Sequence, residues 1–90
     1  MITIDKIKLY IRFKGDIDGW ARGAVRKKTT MTDEDWYLIS DLLHGIILVE
    51  KGLASYEFEQ KLISKLIDNC LDQDTVDEMK ETARSHPEFY

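Results

Sequence analysis

The sequence predicts a small all-α domain of four helices built around a central antiparallel helical hairpin. Three observations predict it. Apolar residues from Ser55 to Leu71 recur with the period of an amphipathic helix. The stretch from Thr32 to Glu50 repeats that period behind a capping sequence of its own. Only Lys51-Gly52-Leu53-Ala54-Ser55 separates the two, a connection so short that the helices must be antiparallel neighbours. The expected helices span 3–14, 32–51, 55–71 and 74–84, with a further turn of helix near 16–22.

The first element carries two patterns. Ile7, Leu9, Ile11 and Phe13 alternate with Lys6, Lys8, Arg12 and Lys14, as a strand would. Yet Asp5, Lys8, Arg12 and Asp16 line one polar stripe at helical spacing, Thr3 can cap and Gly15 can terminate. A strand here needs a partner, and residues 20–30 pattern weakly, so helix is the expectation. The alternative is an α+β fold with an N-terminal β-hairpin over 6–30. In Gly15-Asp16-Ile17-Asp18-Gly19-Trp20-Ala21-Arg22 a turn precedes a short helical segment with Asp16 as its cap. Trp20 faces inward there and Asp18 stands four residues from Arg22. Residues 23–31 read as a basic loop.

In the hairpin, Thr32 caps with Asp35 three residues on, a capping box with a shorter acid than the usual Glu. Trp36, Ile39, Leu42, Leu43, Ile46, Ile47 and Val49 follow on the apolar side. Ile46-Ile47-Leu48-Val49 is apolar all round and is read as a buried helix end. Gly52 supplies the left-handed closing conformation. Ser55 caps the second helix, with Glu57 and Glu59 at the positive end of its dipole. Phe58, Leu62, Ile63, Leu66, Ile67, Cys70 and Leu71 are read as its single buried face. Asp72 or Asp74 caps the last helix, with Val76, Met79 and Ala83 as its seam, and Pro87 ends it. Residues 85–90 are expected to be a flexible tail unless their aromatics dock. The expected core holds Ile7, Ile11, Trp20, Trp36, Ile39, Leu43, Ile46, Leu62, Leu66 and Ile67.

Ninety residues make a single domain, 1–90, with a modest core. A hydrophobic fraction of 43% with 33% charged residues belongs to a globular chain, not a disordered one. No apolar run reaches the roughly 20 residues that span a bilayer, and no basic-then-apolar leader stands before the first helix. Cys70 is the lone cysteine, so no internal disulfide is available. A cytoplasmic address is the expectation.

The net charge of −4 conceals a split. Residues 1–31 hold eight Lys or Arg against three Asp, a charge of +5. Residues 32–90 hold five against fourteen Asp or Glu, a charge of −9. Asp33, Glu34, Asp35, Asp41 and Glu57, interleaved with Tyr37 and Tyr56, suit a surface that captures a basic protein: the rings anchor and the charge speeds encounter. Size, acidity and helicity resemble those of bacterial immunity proteins and antitoxin-like inhibitors, although no motif assigns the chain to a family. The acidic, tyrosine-bearing hairpin and the lack of catalytic motifs lead to the expectation of a non-enzymatic, acidic protein-binding module, an inhibitor or immunity-type partner of a basic protein. Monomer and homodimer both stay open.

Two rival functions attach to the N-terminal third. Arg22, Arg26, Lys27 and Lys28 beside Trp20 form a short basic segment, Arg22–Lys28, for phosphates and one stacked base; the acidic remainder of the chain opposes it. Asp16, Asp18 and Arg22 form an alternative polar site for a small ligand or an acid–base pair. Asp16-Ile17-Asp18-Gly19 also invites comparison with a calcium loop. With Gly19 at the loop's invariant glycine, Lys14 falls at the first ligand position and Val25 at the closing one, so the match fails at both ends. His44 and His86 are too far apart in sequence for a ligand pair, and Cys70 fits a small core residue better than a nucleophile. No phosphate loop, zinc spacing or nucleophile elbow occurs. No catalytic residue, metal ligand or cofactor is expected.

Overall fold

A computed structural model describes residues 1–14 and 31–89. Among them are four α-helices: α1 Ile4–Phe13, α2 Asp33–Glu50, α3 Tyr56–Asn69 and α4 Gln73–Ser85. A 3₁₀ turn, Pro87–Phe89, follows. The domain is all-α and no strand occurs among the described residues; Ile2 and Cys70 form one isolated parallel bridge. The alternative β-hairpin over 6–30 is overturned, because its first strand is helical. Asp5 in the first turn and Arg12 in the last both favour the helix dipole, and the Thr3 hydroxyl accepts from the Lys6 amide at 3.3 Å. The expected turn at 16–22 and the core position of Trp20 lie outside the described residues.

Each helix begins on a side-chain cap that the sequence supplies. The Thr32 hydroxyl accepts from the Asp35 amide at 3.1 Å, and the Asp35 carboxylate accepts from the Thr32 amide at 3.4 Å, completing the box. Ser55 Oγ accepts from the Phe58 amide at 3.1 Å. Asp72 Oδ1 accepts from both the amide and the hydroxyl of Thr75, at 2.9 and 2.7 Å. These contacts hold the Asp72 carboxyl below its ordinary pKa.

The hairpin turn closes as a Schellman motif. Gly52 takes φ +71°, its amide donates to the Val49 carbonyl at 3.0 Å, and the Leu53 amide donates to the Leu48 carbonyl at 2.9 Å. After α3, the chain turns extended at Cys70 and runs beside the N-terminus. The Ile2 amide donates to Asn69 O at 2.8 Å and the Leu71 amide to Ile2 O at 3.0 Å. The first residues are thereby stapled to the α3–α4 junction.

Helix α2 is the axis of the domain. It packs on α1, α3 and α4, most extensively on α4. Ile39, Leu42, Leu43, Ile46 and Ile47 from α2 meet Ile7 and Tyr10, Leu62 and Leu66, and Val76, Met79 and Ala83. The Ile46–Val49 run is helical, as its length implied; Ile46 and Ile47 are buried, and Leu48 and Val49 are half-buried. Two core expectations need correction. Ile11 is only partly buried, and Ile67 is 62% exposed. Helix α3 buries Leu62 and Leu66, with Cys70 just beyond; Phe58, Ile63, Ile67 and Leu71 remain outside. Past α4, aromatic contacts bring Phe89 back onto α1. His86 and Phe89 stack at 4.8 Å, and Phe89 meets Tyr10 edge-on at 5.7 Å.

Candidate partner-binding surface

Asp33, Glu34, Tyr37 and Asp41 are exposed along the first turns of α2. Spacings of three and four put them on one helical face, and the same face continues through His44 to Leu48. Tyr37 is 64% exposed at the centre of the acidic group. An aromatic held by a helix in that state is a preformed anchor, since few torsions remain to be frozen on contact.

Asp35 is different. It is buried, and its carboxylate accepts from the Thr32 amide and pairs with Lys6 Nζ at 2.9 Å. Burial raises its pKa, but the Lys6 hydrogen bond, the Thr32 backbone hydrogen bond and the Lys6 charge together outweigh burial and hold it below the ordinary 3.8. The residue joins α1 to the start of α2 and faces inward, away from any partner on the acidic face.

Tyr56 and Glu57 lie at the opposite end of the hairpin. Tyr56 is 75% exposed at the start of α3. The length of α2 between Tyr37 and the turn is about 20 Å. The seven residues proposed from sequence therefore resolve into an acidic group at the N-terminal end of α2, a tyrosine group at the turn, and one inward-facing carboxylate.

A groove between α2 and α3 begins at Asp41 of the acidic group and runs toward the hairpin turn as far as Leu48 and Phe58. It has a volume of about 330 Å³. Leu42, Gly45, Leu48, Phe58 and Leu62 form its apolar lining, with Asp41 and His44 from α2 facing Lys61 and Lys65 from α3. Gly45 sets its depth. A Cβ built there meets Leu62 Cδ1 at 2.9 Å and Phe58 Cζ at 3.5 Å, so the missing side chain is what lets α3 approach α2. Sequence reading missed this groove, because its walls depend on the register between two helices. The isolated glycine inside α2 was the available signal.

Asp16, Asp18, Arg22 and the Arg22–Lys28 segment lie outside the described residues. Cys70 is buried, and burial together with the negative charge of Asp72 pushes its thiol up, away from the nucleophilic thiolate. Among the described residues no group of three or more His, Cys, Asp or Glu is placed to hold a metal ion. No helix there is long and apolar enough to cross a membrane. No protein-family model, no curated protein and no solved structure matches the chain.

Proposed function

We propose that this protein is a non-enzymatic binding module that captures a basic protein, in the manner of an inhibitor or immunity-type partner. The observation that carries this reading is Tyr37, mostly exposed among Asp33, Glu34 and Asp41, one helical turn before Asp41, which lines an apolar groove. The carboxylates steer a cationic surface toward the helix, the ring anchors it, and the groove takes an apolar side chain beside the contact. Lys61 and Lys65 on the far wall give the groove a direction: the cationic part of the partner sits over α2. Asp35 has no place in this surface, since its charge is already paired.

The test is affinity capture from the source organism's lysate with tagged parent and an Asp33→Asn/Glu34→Gln variant side by side. Asp35 stays intact, so the capping box survives. A basic protein retained by the parent and lost by the variant supports the reading. Association of that protein with the parent then slows as salt is raised, because exposed charges are screened beyond about 8 Å at physiological ionic strength. Nucleic acid retained in place of protein moves the function to Arg22–Lys28. Equal retention of the same protein by both forms removes the acidic face from the mechanism.

A further inference from the structure

We propose that the groove between α2 and α3 binds a small amphipathic carboxylate, a free monocarboxylic acid with an unbranched apolar chain. The two helices run antiparallel, so the groove has two unlike ends. Leu48 and Phe58 close the end at the hairpin turn and carry no charge. Asp41 and Lys65 mark the other end, with His44 and Lys61 between. From Asp41 to Leu48 the helix rises about 10 Å, and from Phe58 to Lys65 the facing helix rises as far. A chain of that length lies with its tail toward the turn and its head among the charges. The floor is shaped for such a chain. Gly45 contributes no side chain, Leu62 and Phe58 lie against it, and Phe58 keeps 39% of its surface exposed. The volume of about 330 Å³ falls at the lower end of the roughly 300–1,000 Å³ found for small-molecule sites.

The charges select the head group. Lys61 and Lys65 stand one turn apart on α3, and among the described residues neither ammonium is paired with a carboxylate. Asp41 on the opposite wall makes no ion pair there either, so it does not consume them. Two cations a turn apart can share the two oxygens of one carboxylate, and a single Asp41 cannot cancel both. An ammonium head meets one carboxylate and two like charges. A neutral head leaves both lysines without a counter-charge. A second carboxylate at the tail would lie against Leu48 and Phe58, which excludes a dicarboxylate. The site uses none of Asp33, Glu34 or Tyr37, so it stands whether or not that face captures a protein. In a complex, ligand and partner compete for the groove alone.

Titration of the isotope-labelled chain with octanoate, followed by its amide resonances, reads the outcome. Octanol and octylamine carry the same chain on a neutral and a cationic head. Octanoate shifts the amides of Gly45, Leu48, Phe58 and Leu62 and saturates below about 10 mM, as a ligand of about ten heavy atoms should. Octanol and octylamine bind about fivefold more weakly or worse. Lys61→Gln/Lys65→Gln costs octanoate about the same factor and leaves octanol unchanged. Asp41→Asn tightens octanoate, because it removes the like charge. These three side chains are exposed, so the variants keep the parent's melting temperature. Asp33→Asn/Glu34→Gln leaves octanoate binding unchanged, whereas Asp41→Asn weakens capture of a basic protein, so the two readings fail or stand separately. Shifts that do not saturate, shifts scattered away from the groove, or octanol binding as tightly as octanoate overturn the inference.

Discussion

Lys6 Nζ lies 2.9 Å from Asp35 Oδ2, and this pair is a charged contact between α1 and the first turn of α2. Both side chains are mostly shielded from water, and the ammonium also donates to the Met1 carbonyl at 2.8 Å. Asp35 meanwhile completes the cap of α2. One carboxylate thus ties a helix start, a neighbouring helix and the N-terminal segment together. Replacing Lys6 by Met keeps the aliphatic stem and strands a partly buried carboxylate. The expected loss is about 1–2 kcal/mol at neutral pH, read from urea denaturation.

The same pair has a pH signature. The folded protein holds the Asp35 pKa below the ordinary 3.8, so the unfolded chain binds its proton first as the solution is acidified. The stabilisation is fully present above the unfolded value and disappears as pH falls through the folded one. The stability gap between parent and Lys6→Met is therefore constant from about pH 7 to 5 and narrows toward pH 3. Asp72 and Glu88 are also held low, but they are common to both proteins and cancel in the difference. A gap that does not change with pH removes the carboxylate from the account.

Leu66 and Ile67 are sequence neighbours with opposite environments, at 2% and 62% exposure. Leu66→Ala opens a cavity against α2 and costs roughly 2–5 kcal/mol, a large part of the roughly 5–15 kcal/mol that stabilises a typical domain. Ile67→Ser changes stability by about 0.5 kcal/mol or less, because the side chain it replaces lies mostly in solvent. Equal melting temperatures for the two variants contradict the orientation of α3.

That contrast shows what the chain discloses and what it withholds. Caps at Thr3, Thr32 and Ser55, the closing Gly52 and the antiparallel hairpin are local chemistry and were legible, whereas at α4 the sequence left Asp72 and Asp74 as alternatives and the structure selects Asp72. The facing of α3 was not. Seven apolar residues from Phe58 to Leu71 cover far more than the roughly 100° stripe that one buried face needs. Which of them are covered depends on where α2 and α4 stop. At the candidate surface, Tyr37 and Asp41 are exposed as the sequence suggested. Asp35 was expected both to cap and to contact a partner, and the structure assigns it the cap and the Lys6 pair. The distance between Tyr37 and Tyr56 follows from antiparallel geometry, since two helix starts in a hairpin lie at opposite ends.

The two glycines of the hairpin predict different responses to alanine. At Gly52 a Cβ meets nothing within 4 Å, so only the left-handed backbone opposes substitution, and Gly52→Ala costs about 1–2 kcal/mol. At Gly45 the helical backbone favours alanine by about 1 kcal/mol, while the close Leu62 Cδ1 opposes it. Gly45→Ala in the parent is consequently near neutral. In a Leu62→Ala background, where the obstruction is gone, the same change stabilises by about 1 kcal/mol. A double-mutant cycle by denaturant titration measures the difference, and additive effects contradict close packing at Gly45.

Phe89 decides whether the chain end belongs to the fold. Its ring stacks on His86, which contacts Glu88 at 2.9 Å, and its edge meets Tyr10, itself 4.4 Å from Trp36 between ring centres. The turn Pro87–Phe89 thus extends an aromatic series that begins on α2 and passes through α1. Phe89→Ala removes partly buried apolar area and an edge-on ring contact, for an expected cost of about 1–2 kcal/mol. Deleting residues 87–90 costs at least as much and uncovers Tyr10, which the near-ultraviolet circular dichroism of the folded protein registers. A mobile tail leaves both the melting temperature and that spectrum unchanged, so the truncation separates a docked end from a free one.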